Sequence, residues 1–454
     1  MDRILCLLIS LITAFSSFSK FFARLGIGSY EEWKTGKKLK ILLVGYNGAR
    51  NTGSDVRVAA IARQIKALLG KDCIQITVMT LDAKSLEGYF DEDVALLPFS
   101  SFFPWHVYRA CSSHHAAILC EGSTLKSTFA NALTLFMCEA AGIMSNQGKP
   151  CLAYGSEVGY MEPFLEKAAA RLCRDTYFIT RTQGSLNLLR KIGLHGHEGT
   201  DAAWSYAQAI DAGEANKMLL EQGWDGKKPL LGIAVINPFC WPVRASLWKW
   251  LKGLCNGDLS GQYDKWYFFS DSPARREAYQ QYIREVAYAA SSFQQKYDYF
   301  PVVIGMERLD EKACRALMER LPCPGAMFLS GDCSADIMTG ILHRLSIIVT
   351  SRYHAAVLSM EKGCPIVAVS MDERLDGIMQ ELSLDRKYLL HVTDKNLGEK
   401  LYGALVDACS DQDAVHRHIQ SQVAEYRDKL TDMGVFLKQY IQNHLRYNEG
   451  GDVV

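Results

Sequence analysis

Arg352 and His354 stand two residues apart in SIIVTSRYHAAVLSMEKG, the segment that covers residues 346–363. The β-branched run predicts a buried strand, Ser351 is a predicted cap of the following helix, and Gly363 marks the end of that helix. Ligands bind at the carboxyl ends of parallel strands, where a helix N-terminus favours anions. A guanidinium and a titratable imidazole are therefore predicted to meet at an anion site. The alternative is a surface arginine and a core histidine with no common role.

A second arginine, Arg181, ends the predicted strand TYFIT. It precedes a predicted helix that Thr182 caps and Gly193 closes. A guanidinium holds a carboxylate or phosphate through two parallel N–H groups, a geometry that lysine cannot match. We expect Arg181 to face the same cleft as Arg352.

A glycine-containing loop, GYNGARNTGSD, follows the opening strand and covers residues 45–55. Its glycines permit close backbone approach, and Ser54 or Asp55 is predicted to cap the next helix. Asn51 and Asp55 are candidates for binding an acceptor substrate. A simple tight turn is the alternative interpretation, because the loop matches neither of the common phosphate-binding glycine patterns.

Two more predicted strand ends carry polar residues. In CEGSTLKS, Glu121 and Ser123 are candidates for the acceptor side, where the carboxylate accepts hydrogen bonds from sugar hydroxyls or acts as a base. Equally, Ser123 or Thr124 serves only as a helix cap. In SMDERLDG, Arg374 is a candidate clamp for the donor or acceptor, with an exposed loop arginine as the alternative.

Alternating strands and helices must position these side chains. The runs KILLVGY, IQITVMT, AAILC, CLAYG and TYFIT predict a doubly wound sheet in residues 38–210. The runs PLLGIAVI, KWYFFS, PVVIG, GAMFL, SIIVT and PIVAVS predict a second one in residues 228–395. We therefore expect an α/β protein with two Rossmann-like domains facing a cleft. Residues 396–454 are predicted to form bracing helices and a frayed tail.

Composition narrows the function classes. The 454 residues are 48% hydrophobic, with 50 Lys plus Arg and 50 Asp plus Glu, so no general electrostatic case exists for nucleic acid as a partner. The 14 cysteines show no metal-binding spacing, and several, such as Cys120, Cys151 and Cys364, are predicted to be small buried hydrophobes. A reducing compartment, the cytoplasm, is the expected location.

The N-terminal segment 1–30 is a candidate for contact with a membrane. Residues 4–18 are apolar or small, yet shorter than the roughly 20 residues that a spanning helix needs. Lys20 and Arg24 flank them. An interfacial helix, a signal anchor and a cleaved signal peptide are the interpretations, and residues 4–24 are a candidate for peripheral contact with the inner face of the membrane.

Taken together, these motifs carry a family resemblance. GYNGARNTG, R-x-x-x-S-x-x-L-L-x-x-x-G from Arg181, S-R-Y-H-A from Ser351 and S-M-D-E-R from Ser370 resemble the polysaccharide pyruvyl transferase family over residues 40–390. The resemblance implies a GT-B-like fold and transfer of pyruvate from phosphoenolpyruvate onto a sugar as a ketal. The residues it implies for contact with the donor are Arg181, Arg352 and His354, with Arg352 and His354 as the catalytic pair. Ser351 and Tyr353, which adjoin this pair in sequence, are further candidates for donor binding.

Phosphoenolpyruvate would be a co-substrate, and the resemblance requires no further cofactor and no metal. The donor domain would be the second and the acceptor domain the first. His354 would protonate the methylene carbon of the donor. The chain departs from the family pattern at Glu121-Gly122-Ser123, where a run of glycines is usual, and at Thr182, where an aspartate is usual.

Three alternatives stay open. The two-domain cleft also suits a glycosyltransferase that uses a nucleotide sugar. A non-catalytic protein that binds glycans or assembles a biosynthetic complex is the second, and the same donor chemistry on a small molecule is the third. The sequence does not distinguish a free sugar from a lipid-linked saccharide as acceptor, and it does not set the oligomeric state.

Overall fold

A parallel β-sheet organises the first half of the chain in the computed structural model, which describes residues 1–100, 102–206, 212–256, 261–323 and 325–448. Among these residues the sheet has seven strands, in the order β3-β2-β1-β4-β5-β6-β7. They are β1 Leu39–Asn47, β2 Ile74–Thr80, β3 Val94–Pro98, β4 Ala116–Leu119, β5 Cys151–Ser156, β6 Tyr177–Thr180 and β7 His195–Glu198. The order reverses between β1 and β4, where open parallel sheets bind ligands.

Helices cover both faces of this sheet, as parallel crossovers require. They are α3 Thr52–Leu69, α4 Pro104–Ser112, α5 Asn131–Asn146, α6 Pro163–Leu172 and α7 Gln183–Lys191. Helix α7 begins after Thr182, whose side chain accepts the N–H of Ser185 at 3.2 Å, as predicted. The predicted caps of α3 are wrong: Asn51 caps this helix by accepting the N–H of Ser54 at 3.2 Å.

A second parallel sheet follows, with six strands in the described residues in the order β13-β12-β8-β14-β15-β16. They are β8 Leu230–Ala234, β12 Phe300–Gly305, β13 Ala326–Leu329, β14 Ile347–Thr350, β15 Ile366–Ser370 and β16 Leu389–His391. Its helices are α8 Ala212–Glu221, α10 Pro273–Lys296, α11 Glu311–Met318, α12 Ala335–Leu342, α13 Tyr353–Met360, α14 Glu373–Glu381, α15 Asp385–Tyr388 and α16 Leu397–Ser410. The predicted α/β class with two Rossmann-like sheets is confirmed.

The run KWYFFS does not belong to the second sheet, so this prediction is wrong. It supplies β11 Tyr267–Phe268, which pairs antiparallel with β9 Arg244–Ala245 and β10 Gln262–Asp264 in a separate small sheet. Helix α9, Leu247–Asn256, connects β9 to the rest of this small sheet. The run is too short and too aromatic for sequence periodicity to distinguish an antiparallel ribbon from a parallel core strand.

Apolar side chains fill the interior of both sheets. The central strands β1, β8 and β14 are buried almost throughout, as expected for strands with helices on both faces. Cys120, Cys151 and Cys364 are 2–3% exposed, which confirms them as small core residues.

One long helix, α17 Gln412–Asn448, joins the two halves. Near its start, His418 Nε2 lies 2.7 Å from the carbonyl oxygen of Leu382 in the second half. Further along, Tyr440 donates to the carbonyl of Cys151 in the first half at 3.1 Å. The helix therefore packs against both domains and holds them next to each other.

The N-terminus forms two helices, α1 Asp2–Ser16 and α2 Ser19–Arg24. Helix α1 packs against α5 through a face that includes the buried residues Ile9 and Thr13. Within the described part of the chain, every helix is too short or too polar to cross a membrane.

Candidate active site

The carboxyl edges of the two sheets face each other and touch at the loop after β1. Asn51 forms an antiparallel bridge with Glu307, which follows β12. The N–H of Thr52 donates to the carbonyl of Met306 at 2.9 Å, and its hydroxyl to that of Ser330 at 2.9 Å. The binding edge of each Rossmann-like domain is thereby directed at the other, as the sequence predicted for a cleft.

A cavity of about 410 Å³ lies between these edges. Its polar lining residues are Tyr46, Asn51, Ser100, Glu121, Ser123, Tyr263, Asp264, Lys265, Tyr267, Glu307, Arg352 and Arg374. Its apolar lining residues are Leu81, Phe99, Phe103, Phe129, Ala130, Ala132, Leu133, Phe136, Trp241 and Val243. Five predicted site residues, Asn51, Glu121, Ser123, Arg352 and Arg374, thus share one cavity. Such a mixture suits a ligand with charged groups at one part and an apolar or ring surface at another.

Arg352 reaches this cavity from the first position before α13. Its Nε donates to Asp310 Oδ2 at 2.8 Å and its Nη2 to Glu307 Oε2 at 2.9 Å. Burial raises the pKa of Asp310, the charge of Arg352 offsets part of that effect, and the result is about 6. The guanidinium is held rigidly at the cavity wall, with 10% of its side chain exposed.

Ser351 does not cap α13, so that prediction is wrong. Arg352 is the capping position, in extended backbone, and its N–H donates to Thr350 Oγ1 at 2.9 Å. The hydroxyl of Ser351 instead pairs with that of Tyr282 at 2.7 Å, inside the second domain. A cap was expected from the residue type, but the buried tyrosine offers the serine hydroxyl a competing partner.

Arg374 lies in the first turn of α14 and points over the ring of Phe129, 4.5 Å from its centroid. Its Nη2 is 2.7 Å from Asp372 Oδ2. The same carboxylate lies 3.6 Å from Nζ of the buried Lys126, which comes from the first domain. Burial acts to raise the pKa of Asp372, yet the charges of Arg374 and Lys126 hold it well below its usual range. The loop after β15 is thus tied by ion pairs to the first domain.

His354 and Arg181 belong to a second, buried cluster that is centred on Asp201. Arg181 Nη1 lies 2.9 Å from Asp201 Oδ2, and Arg57 Nε lies 3.1 Å from Oδ1. His354 Nε2 is 3.6 Å from Asp201 Oδ2. Burial favours a raised pKa for Asp201, but Arg57, His354 and Arg181 hold it well below its ordinary value. This carboxylate therefore stays ionised and joins the two domains.

Arg181 is enclosed by the carboxylates of Asp201 and Glu157 and by the ring of Tyr353. Its Nε donates to Glu157 Oε2 at 2.6 Å, and its guanidinium carbon lies 4.3 Å above the ring of Tyr353. The side chain is 1% exposed and does not line the cavity. The prediction that Arg181 and Arg352 face one space is therefore wrong: Arg181 lies buried beside His354 and Tyr353, whereas Arg352 faces the cavity with its own pair of carboxylates.

Three nitrogens of this cluster have unused hydrogen-bonding capacity. Nη2 of Arg181, Nε2 of His354 and Nε of Arg57 are buried and lack a hydrogen-bond partner among the described residues, although Nε of Arg57 lies in its ion pair with Asp201. Buried polar atoms are nearly always paired in folded proteins. Unpaired donors beside a ligand cavity are therefore candidates for contact with a substrate.

Glycines from the two predicted loops fit closely around the cluster. A Cβ at Gly53 would lie 2.1 Å from Nδ1 of His354, and one at Gly122 would lie 2.5 Å from Nη1 of Arg57. Their neighbours Asn51 and Glu121 line the cavity. The same two loops thus contact both the cavity and the cluster, and at the start of α13 Arg352 faces the cavity while His354 faces the cluster.

The imidazole of His354 is neutral in this arrangement. Burial lowers its pKa, the carboxylate of Asp201 acts in the opposite direction, and Arg57 and Arg181 lower it further, with a net decrease. The side chain keeps 15% of its surface exposed. A nearby negative charge would raise this pKa and favour the protonated form.

Glu121 and Asp55 have defined partners within the protein. Glu121 accepts the N–H groups of Ser123 at 3.1 Å and Tyr46 at 3.3 Å, and it keeps its place on the cavity wall. Asp55 is buried behind the wall and accepts the N–H of Gly48 at 3.1 Å. Ser123 does not cap a helix, because α5 begins only at Asn131.

Sequence reasoning missed Arg57, Asp201, Glu307 and Asp310. Asp201 and Glu307 follow strands β7 and β12, so a search of every strand end for charged residues could have found them. Arg57 gave no such signal, since it lies within an apolar helical run. Nothing in the described residues forms a group of His, Cys, Asp or Glu able to hold a metal ion.

The sequence matches one known protein family. The sequence profile of a family described as polysaccharide pyruvyl transferase matches residues 51–373, which is more than half of the chain. Among curated protein sequences, none matches.

Solved structures show the same fold at low identity. The UDP-GlcNAc 2-epimerase from Neisseria meningitidis bound to UDP-GlcNAc has a TM-score of 0.52 and 9% identity, over 87% of this chain and 100% of that chain. The UDP-GlcNAc 2-epimerase from Methanocaldococcus jannaschii in complex with UDP-GlcNAc and UDP has a TM-score of 0.52 and 9% identity, over 82% of this chain and 92% of that chain. A glycosyltransferase from Rickettsia africae ESF-5 has a TM-score of 0.50 and 10% identity, over 91% of this chain and 97% of that chain. The predicted GT-B-like fold is confirmed.

Proposed function

Because this chain belongs to the polysaccharide pyruvyl transferase family, we propose that it transfers the pyruvyl group of phosphoenolpyruvate onto a sugar of a cell-surface polysaccharide or its precursor, as a ketal. The observation that carries the proposal is the start of α13. There Arg352 lines the cavity, and two residues later His354 contacts the Asp201 cluster of the other domain. An anion-binding group and a proton carrier thus meet at the junction of the two domains.

The donor carries a carboxylate and a phosphate, and this site offers fixed cations for both. Arg352 and Arg374 line the cavity, and the unpaired Nη2 of Arg181 lies behind it. Each guanidinium is held by carboxylates, so its position is set before the ligand arrives. Preorganised positive groups stabilise charge without reorganising during the reaction.

The reaction balances with the groups at hand. His354, protonated once the anionic donor is bound, gives its proton to the methylene carbon and leaves C2 electrophilic. One sugar hydroxyl adds to C2, the bond from C2 to the phosphate oxygen breaks, and a second hydroxyl of the same sugar closes the ketal. The two hydroxyl protons offset the one taken up by carbon and the one carried away by phosphate.

The acceptor would lie on the side of the cavity formed by the first domain. Asn51, Glu121 and Ser123 present amide, carboxylate and hydroxyl groups to that space. Sugars are recognised by such groups together with aromatic rings, and Phe129 and Trp241 lie next to them, with ring centroids 5.1 Å apart. Glu121 is the residue we assign to orienting or deprotonating the attacking hydroxyl.

Turnover tests the proposal directly. The purified chain would be incubated with phosphoenolpyruvate and a panel of free, nucleotide-linked and lipid-linked sugars, and inorganic phosphate would be measured. We expect phosphate release that requires one of the sugars, with a product whose mass corresponds to a pyruvate ketal. Binding of UDP with no response to phosphoenolpyruvate would instead favour a glycosyltransferase that uses nucleotide sugars. Binding of glycans without any turnover would favour a non-catalytic role.

A further inference from the structure

Helix α9 presents an apolar face to the outside. Leu247, Trp248, Leu251 and Leu254 are 43%, 76%, 50% and 56% exposed. Their spacing puts them on one side of the helix. Trp250 lies at the border of this face and contacts Trp266, with ring centroids 6.3 Å apart, and Gly253 on the other side is buried. A surface helix normally shows the reverse arrangement, with its polar face toward water.

Helix α1 has the same property. Ile4, Leu7 and Leu11 are 66%, 62% and 62% exposed, and they lie on the face opposite the buried Ile9 and Thr13. The apolar surface includes the exposed ring of Phe15 near the end of the helix and continues beyond it through those of Phe18 and Phe21. Two separate helices therefore expose apolar faces that do not pack against the rest of the described chain.

The two faces adjoin the same wall of the cavity. Asp2, at the start of α1, accepts a hydrogen bond from Asn131 at 2.9 Å, next to cavity residues 130, 132 and 133. Tyr267 lines the same cavity and pairs with Ala245, two residues before α9. The start of α1 and the strand before α9 thus border one cavity.

The residue types of these faces match a bilayer surface. Helix α9 contains Lys249 and Lys252 and no acidic residue, and the exposed Arg3 and Arg24 flank the apolar face of α1 and α2. Tryptophan prefers the interface between lipid and water, and lysine extends its charge to the headgroups. Helices of 10 and 15 residues are too short to span a membrane and suit a position parallel to it.

We propose that α9 and the helices α1 and α2 form one docking surface for a lipid bilayer with anionic headgroups. The surface holds the cavity mouth next to the membrane. Its positive charges attract the headgroups, and its leucine and aromatic side chains enter the interfacial region. This inference is independent of which sugar the enzyme modifies.

Vesicle binding by the full chain tests the surface. Phosphatidylcholine vesicles with and without phosphatidylglycerol would be mixed with the protein, without substrates, and pelleted. We expect binding that rises with phosphatidylglycerol, falls with salt and drops at least about tenfold in W248E/L251E. The control is L220E on α8, a residue that is likewise 51% exposed but lies outside the surface. K252E should reduce mainly the preference for anionic lipid.

A second readout reports insertion rather than attraction. Lipids with brominated acyl chains quench tryptophan fluorescence on contact, and we expect the quenched component to disappear in W248F. Equal vesicle binding by wild type and W248E/L251E would overturn the proposal. A dimer in solution that W248E/L251E dissociates, with no vesicle binding by the wild type, would also overturn it by showing that a second copy covers this face. Since no phosphoenolpyruvate is present, failure here leaves the pyruvyl transferase proposal untouched.

Discussion

At the scale of single residues, Asp201 connects the catalytic candidates of both domains. It binds Arg57 and Arg181 from its own domain and lies 3.6 Å from His354 of the other. Two arginines on one carboxylate leave His354 with little net negative charge to hold a proton. The histidine is therefore suited to gain its proton when an anionic donor arrives.

Replacing this histidine should slow turnover strongly and leave the fold intact. We expect His354→Asn to lower kcat by about 10²- to 10⁴-fold, because the proton donor is lost. The melting temperature should change little, since the imidazole makes no close hydrogen bond to Asp201. The control is His391→Asn, a half-exposed histidine near Asp376, which should keep full activity. Full activity of the His354 variant would remove this residue from the mechanism.

Donor binding should take up a proton. The pKa of His354 is lowered in the free protein, and the charge of the donor raises it, so affinity for phosphoenolpyruvate should increase as the pH falls through the neutral range. Calorimetry in buffers of different ionisation enthalpy measures the uptake. It should vanish in His354→Asn.

The control for this uptake is Asp310→Asn, because the pKa of Asp310 is about 6 and its partner Arg352 is a proposed donor ligand. Proton uptake that persists in His354→Asn and disappears in Asp310→Asn would assign the effect to the carboxylate instead.

A single added methyl group at Gly53 should disturb the histidine. The Cβ of Gly53→Ala would lie 2.1 Å from His354 Nδ1, so the ring must move. We expect kcat to fall at least about tenfold, since small displacements of reacting groups are costly. The matched control is Gly403→Ala on α16, where a Cβ meets nothing within 4 Å. Equal activities of the two variants would show that His354 tolerates displacement.

At the scale of elements, the strands with long β-branched runs were predictable and the short ones were not. Strands β1, β2 and β14 stand out as apolar runs, whereas β7 reads HGHE and is visible only through its pairing with β6. The run KWYFFS was placed in the wrong sheet. Helix caps failed where a tertiary partner competed, as at Ser351, and succeeded at Thr182, where none did.

The site was predictable where it follows strand ends in sequence. Asn51, Glu121, Ser123, Arg352 and Arg374 meet in one cavity because parallel strands deliver their carboxyl ends to a common edge. Arg57 could not be anticipated, since its role depends on Asp201, which is distant in sequence and comes from the far side of the same sheet. Ion pairs between distant segments depend on the tertiary structure, so local sequence patterns do not predict them.

The junction of β1 and α3 allows a prediction of stability. Burial raises the pKa of Asp55 to about 7, and the Gly48 N–H only partly offsets this. Because the folded state then binds the proton more tightly than the unfolded state, stability should fall as the pH rises from about 4 to about 7. Asp55→Asn keeps an acceptor for Gly48 and has no charge to bury.

We therefore expect Asp55→Asn to be more stable than wild type at pH 8, by about 2 kcal/mol, with a smaller difference at pH 5. Urea unfolding at both pH values measures this. The control is the exposed Asp428→Asn, which should match wild type at both. A variant less stable than wild type at pH 8 would show that the charge of Asp55 is favourable in the folded state.

At the scale of the whole molecule, the two domains meet through charged side chains and also share one continuous apolar core. Lys126 reaches Asp372 and Glu373 across the junction, at 3.6 and 3.2 Å, and the neutral imidazole of His354 lies 3.6 Å from the ionised Asp201. Helix α17 ties the far sides together. Arg352 at the cavity and Arg181 in the Asp201 cluster thus lie at the same domain junction, and a donor bound between them would contact both domains.

Binding of phosphoenolpyruvate to the intact chain, measured by calorimetry, tests this account most directly. The account predicts that the wild type binds phosphoenolpyruvate and that Arg352→Lys and Arg181→Lys each weaken binding at least about tenfold, since lysine lacks the two-pronged geometry. Arg244→Lys, at an exposed arginine outside the cavity, should bind like wild type. Absence of phosphoenolpyruvate binding by the folded wild type, or equal binding by all three variants, would contradict it.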